Sequence, residues 1–174
     1  MVKYHVAESE KSISLSLALA DTLRDRPELF RDDIQIASFF GSPAVCWNGG
    51  RMLLGPYYPE RTKTIINAYN SRGIPYRFTF TNPSITEEML EDKACNDLLT
   101  MADNGFNEAI VNSPLLEDYI RKTHPNIKLT SSTCKCITDI DEVKAELAKP
   151  YSLVVLDFNF NNNFELLEKL TPEE

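Results

Sequence analysis

Between residues 34 and 170 the chain alternates between two hydrophobic rhythms. Short apolar runs with the look of strands give way to longer stretches whose apolar residues recur three and four apart, as on one face of a helix. The pairs are strand 34–40 with helix 59–73, strand 74–80 with helix 84–105, and strand 108–113 with a helix from Pro114 to His124. Strand 127–133 with helix 139–149 and strand 152–158 with helix 163–170 complete the series. Gly41 is expected to end the first strand and Gly73 the first helix, and Ser84 to Glu87 reads as a capping box. Ahead of these units, Leu15, Leu19, Leu23 and Phe30 predict a helix over 14–30, broken or kinked at Pro27. Residues 1–33 are therefore read as an N-terminal helical segment and 34–174 as the main body, one domain overall.

Strands and helices joined by short links imply βα units and a parallel sheet. Right-handed crossovers leave an open doubly wound sheet or a (βα)8 barrel. Strand starts at 34, 74, 108, 127 and 151 recur about every 29 residues, a spacing that suits a barrel of ~250 residues. The fifth strand, Leu153 to Leu156, is apolar on both faces and lacks the charge or proline of an edge strand. The fold class expected is α/β and TIM-barrel-like: about five consecutive βα units of an incomplete barrel, preceded by an N-terminal helix. The chain is expected to stop before closure. A flavodoxin-like domain is the competing topology. It lacks support, because Gly49-Gly50 has neither the dinucleotide nor the phosphate-loop spacing.

Composition narrows the partners. The 26 acidic and 18 basic side chains give a formal charge of -8, which argues against general nucleic-acid binding. No apolar run approaches the ~20 residues of a membrane span, and the polar start lacks a signal-peptide core. A cytoplasmic location with reduced thiols follows as the expectation for Cys46, Cys95, Cys134 and Cys136.

In either topology ligands bind at the carboxyl ends of the strands. The candidates there are Cys46, Trp47 and Asn48 after the first strand, Asn82 after the second and Asn112 after the third. Ser132 and Cys134 follow the fourth, and Asp157 and Asn159 the fifth. Such residues also serve as turn and cap residues, so Asn82, Ser113 and Asn162 are equally readable as caps. The link from Phe39 to Gly55 is read as a binding wall, or as a small β-hairpin anchored by Trp47. Arg77 lies inside the second strand. If Ile74, Tyr76, Phe78 and Phe80 face the helices, Arg77, Thr79 and Thr81 point into the barrel. Arg77 then either grips a carboxylate ligand or pairs with Glu108 or Asp157. Cys134 and Cys136 form a C-x-C pair without the two further ligands of a metal site, so no metal is assigned. The ligand expected is a small molecule or peptide. A homodimer through the edge of the fifth strand is the alternative.

The stretch "EAIVNSPLLEDYIRKTHPNIKLTSST", residues 108–133, resembles the barrel proteins grouped with the U32 peptidase family. The shared features are a strand, a helix, a short strand after a proline, and a small hydroxyl at its end. As architecture the resemblance extends over about 34–170. It implies a (βα)8 barrel related to collagenase-like peptidases and to proteins that use an iron–sulfur cluster in RNA or quinone hydroxylation. The family's cluster cysteines lie in the later part of the barrel. A cluster is therefore implied only if a further C-terminal part supplies them, and no catalytic residue carries over.

Overall fold

The computed structural model describes residues 1–50 and 53–171. Arg51 and Met52, in the expected long link, and residues 172–174 lie outside the described residues. Six parallel strands curl into a half-barrel in the order β1 (Val2–Ala7), β2 (Ile34–Ala44), β4 (Tyr76–Phe80), β5 (Glu108–Val111), β6 (Lys128–Ser131) and β7 (Leu153–Val154). A further strand, β3 (Leu53–Pro56), pairs with the far end of β2. The helices are α1 (Ile13–Asp25), α2 (Pro59–Asn70), α3 (Glu87–Leu90), α4 (Lys93–Ala102), α5 (Pro114–Thr123), α6 (Ile140–Leu147) and α7 (Phe164–Leu167).

The six strands run side by side in chain order. A doubly wound sheet reverses its order at a switch point; this one never does, so every crossover advances in one direction and the sheet curls. One face carries the core. Tyr76, Phe78 and Phe80 of β4 are fully buried there with Phe39, Leu98, Leu99, Leu116 and Ile120. Alternation then turns Arg77, Thr79 and Thr81 to the concave face, where they line a hollow.

Several elements differ from the sequence reading, each for a local reason. The polar start is a strand: β1 pairs in parallel with β2, so α1 is the crossover of a first βα unit and no appendage ahead of the sheet. Its pattern is hidden because Val2 and Tyr4 are exposed while His5 turns inward to Ser38. On α1 the buried residues are Ser16 and Ala20, small enough for close approach, whereas Leu15 stays 72% exposed. Gly41 does not end its strand, since β2 runs on to Ala44 to meet β3. That pairing is parallel, which replaces the expected hairpin.

The predicted helix 84–105 breaks in two at Asp92, whose Oδ1 accepts from the Cys95 amide at 2.8 Å and caps α4. Thr86 caps α3 in place of Ser84, because the Ser84 amide is already held in the preceding turn by Asn82 Oδ1 at 2.8 Å. The caps at Ser113, before Pro114, and at Asp139 stand where turn chemistry puts them. The fifth apolar run forms only the two-residue ladder of β7, with Val155 already 39% exposed. It faces the hollow and an open edge, so it is not covered on both sides as its apolarity suggested. Asp157 then draws the chain out of the ladder by capping the turn Phe158–Phe160.

Candidate functional site

The concave face opens into a hollow of about 630 Å³ near the C-terminal ends of the strands. Phe40, Ile110, Leu153, Val155 and Leu156 give it an apolar wall. Thr79 and Thr81 of the β4 side, and Ser132, Thr133 and Cys134 after β6, give it a row of neutral polar groups. The Thr81 hydroxyl is buried and has no hydrogen-bond partner. Its neighbour Thr79 donates to Asn48 Oδ1 at 3.0 Å.

Beneath this row runs a chain of charged and polar groups. Arg77 Nε stands 2.9 Å from Glu108 Oε2, a buried ion pair whose angle falls short of a hydrogen bond. Arg77 Nη1 donates to His5 Nδ1 at 3.0 Å, and Ser38 Oγ lies 2.8 Å from the same nitrogen. Glu108 Oε2 also accepts from Ser152 Oγ at 3.1 Å and Thr130 Oγ1 at 3.3 Å. Burial, and after it the Arg77 cation, pushes the His5 pKa below its ordinary 6.5, against the pull of Glu108. The ring is thus neutral at pH 7, as an acceptor for arginine requires. Of the two fates open to Arg77, the structure shows the pairing with Glu108. The hollow therefore offers no unbalanced positive charge from this residue.

The loop after β2 closes over the end of β4. Asn48 Oδ1 accepts from the Gly50 amide at 2.7 Å, forming a tight turn. Gly49 crosses so near that an added Cβ would sit 2.5 Å from the Thr81 carbonyl oxygen. Asn82 fastens the same loop from below, its Nδ2 donating to the Cys46 carbonyl at 2.7 Å.

Of the sequence candidates, Arg77, Ser132 and Cys134 come together at the hollow, and Asn48 positions its wall. Trp47 does not. It is fully buried, donates to the Met89 carbonyl at 2.6 Å and meets Phe80 edge-on at 5.3 Å. Cys46 lies with it, its sulfur 3.5 Å from that of Cys95. Asn82 is a loop clamp, Asn112 is half-buried after β5, and Asp157 and exposed Asn159 build a turn. Ser132 itself has a second task, accepting from the Cys134 amide at 3.1 Å. His5 and Ser38 escaped the sequence reading. The one available signal was the placement of His5 among the apolar Val2, Tyr4 and Val6.

An iron–sulfur cluster needs about four cysteine ligands. Cys134 and Cys136 are exposed, and among the described residues the one gathering of three ligand-type side chains is elsewhere, at Cys46, Asp92 and Cys95. The residues at the hollow do not fit a cluster.

A second hollow of about 430 Å³ lies at the opposite end of the strands, beside Arg24, Arg31 and Arg72. Each guanidinium there is neutralised, by Asp25, Asp33 and Asp21 respectively. Among the described residues no helix is long and apolar enough to cross a membrane. Comparisons with family models, curated proteins and solved structures found no match.

Proposed function

We propose that the chain is a U32-peptidase-like barrel protein, and that it binds a small, neutral, polar or peptide-like ligand in the concave hollow. The observation that carries this reading is the Thr81 hydroxyl, buried at a strand end with no partner of its own. A buried donor without a partner costs about 1–3 kcal/mol, which a ligand carbonyl would recover. The hollow lies within the ~300–1,000 Å³ of small-molecule sites and has the usual mix of apolar wall and few polar groups. Its hydroxyls suit the carbonyls and amides of a peptide bond, and the balanced Arg77–Glu108 pair gives a charged ligand no advantage. The resemblance over residues 108–133 and the curl of the sheet support the family part of the proposal.

Calorimetric titration of short neutral peptides and small amides is the direct measurement. Binding that weakens about tenfold in Thr81→Val, one hydrogen bond's worth, supports the reading. Equal binding to Thr81→Val and wild type, or no heat across the panel, overturns it.

A second reading rests on the edges. Beyond β1 and β7 no further strand pairs among the described residues, and Val155 and Phe158 stand 39% and 72% exposed near β7. Two copies would then cover these edges and complete the barrel between them. Sedimentation equilibrium decides: a monomer at micromolar concentration rules this reading out, and a dimer that dissociates in Val155→Lys supports it.

A further inference from the structure

We propose that Cys46, Asp92 and Cys95 form a binding site for a thiophilic divalent cation, zinc in the first instance. The site lies apart from the concave hollow and is independent of the function proposed for it.

The geometry is that of a set of ligands already gathered. One ligand atom from each residue lies within 4.8 Å of the other two. The two sulfurs are 3.5 Å apart. Zinc–thiolate bonds of ~2.3 Å in a tetrahedral arrangement put two sulfurs about 3.8 Å apart, so the ion enters with a shift of a few tenths of an ångström. Two thiolates and a carboxylate suit zinc and not magnesium or calcium, which take oxygen ligands. Cys95 is fully buried, while Cys46 and Asp92 are half-buried, leaving the fourth position to water on the open side.

Both sides of the site are held before any ion arrives. Asp92 and Cys95 share the first turn of α4, where Asp92 Oδ1 accepts from the Cys95 amide at 2.8 Å. The other carboxylate oxygen has no such duty at that cap. Cys46 is presented by a fixed loop, its carbonyl gripped by Asn82 and its neighbour Trp47 tied to the Met89 carbonyl at 2.6 Å. Ligand ordering is thus largely complete in the folded chain.

Binding exchanges protons for metal. Zinc binds the thiolate form, and a free thiol, with a pKa of about 8.5, is mostly protonated at pH 7. As each Zn–S bond forms, the corresponding S–H bond breaks and its proton goes to solvent. Two protons leave per ion, no electron is transferred, and affinity rises with pH.

The test uses the reduced full chain with both exposed thiols removed as Cys134→Ser/Cys136→Ser, which disposes of the C-x-C pair. Cobalt(II) serves as the spectroscopic probe and zinc as the competitor. We expect one cobalt per chain, a near-ultraviolet thiolate-to-cobalt band, loss of the band on adding zinc, and two protons released per ion by calorimetry in two buffers. Cys46→Ala should abolish the band. Asp92→Asn keeps an amide oxygen to cap α4, so the fold survives, yet it should weaken cobalt binding by about 10- to 100-fold or more. That is the loss seen even for groups that only orient a ligand. A band missing from the reduced parent, or one of unchanged affinity in either folded variant, overturns the proposal. So does a parent that binds no metal yet forms a Cys46–Cys95 disulfide in air.

Discussion

Arg77 on β4 and Glu108 on β5 meet at 2.9 Å, each less than about one-tenth exposed, as direct neighbours in the parallel register. The guanidinium also reaches His5 at the edge of the sheet, and the carboxylate reaches the hydroxyls of Thr130 and Ser152. One pair thus ties together side chains from β1 to the start of β7. Truncating Glu108→Ala leaves a buried cation without compensation, and the expected cost is about 3–5 kcal/mol in urea unfolding. Replacing both partners by apolar residues of similar size (Arg77→Met with Glu108→Leu) should recover most of that loss. A single variant within about 0.5 kcal/mol of wild type would show that the pair is not a tie.

His5 gives the concave face a pH dependence of definite sign. Its folded pKa lies below 6.5, through burial first and the Arg77 cation second. The unfolded chain therefore binds more protons in the window just below pH 6.5, and stability falls as the pH falls through it. The stability curve of His5→Gln should lack this step, so the difference between variant and wild type must shrink on going from pH 7.5 to pH 5. A difference that stays constant contradicts the neutral ring.

Glu146 acts lower on the pH scale. Burial alone would raise its pKa, but hydrogen bonds from Lys135 and Lys149, both at 2.6 Å, and from Ser131 at 2.5 Å outweigh it and hold the group down to about 2. A depressed folded pKa contributes stability above the unfolded value of 4.5, and that stability is lost as pH falls from there toward about 2. Glu146→Gln should cost about 3 kcal/mol at pH 7, since hydrogen bonds to a charged group are the stronger kind. The cost should largely vanish near pH 2, as read by urea unfolding at both pH values.

The alternation of strand and helix was legible because it depends on period alone, and so the parallel sheet and the inward direction of Arg77, Thr79 and Thr81 followed. β1 was not legible. It is an edge strand with apolar side chains exposed and a histidine inward, the reverse of the usual pattern. β7 misled in the opposite sense, since its apolar residues line a hollow open to solvent. At the strand ends residue type did not separate roles: Asn82, Asp157 and Asn48 are all amide or carboxylate turn residues, and only Asn48 bears on the hollow. The cluster of Cys46, Asp92 and Cys95 joins positions 49 residues apart through the fold, which no local spacing announces.

Thr79 and Thr81 sit two residues apart on the same face at the C-terminal end of β4, buried to the same degree, and yet they differ in one respect. Thr79 donates to Asn48 and helps hold the loop, while Thr81 has no partner. Valine has the shape of threonine without the hydroxyl, so the two substitutions separate structure from function. Thr79→Val leaves the Asn48 carbonyl short of a donor and should destabilise the chain by about 1 kcal/mol. Thr81→Val removes an unsatisfied group from a buried place and should raise stability by up to about 1 kcal/mol while weakening ligand binding. Urea midpoints of the two variants moving in opposite directions is the expected outcome. A Thr81→Val variant destabilised as much as Thr79→Val would mean that the hydroxyl already serves the fold, and the hollow would lose its best claim to a ligand.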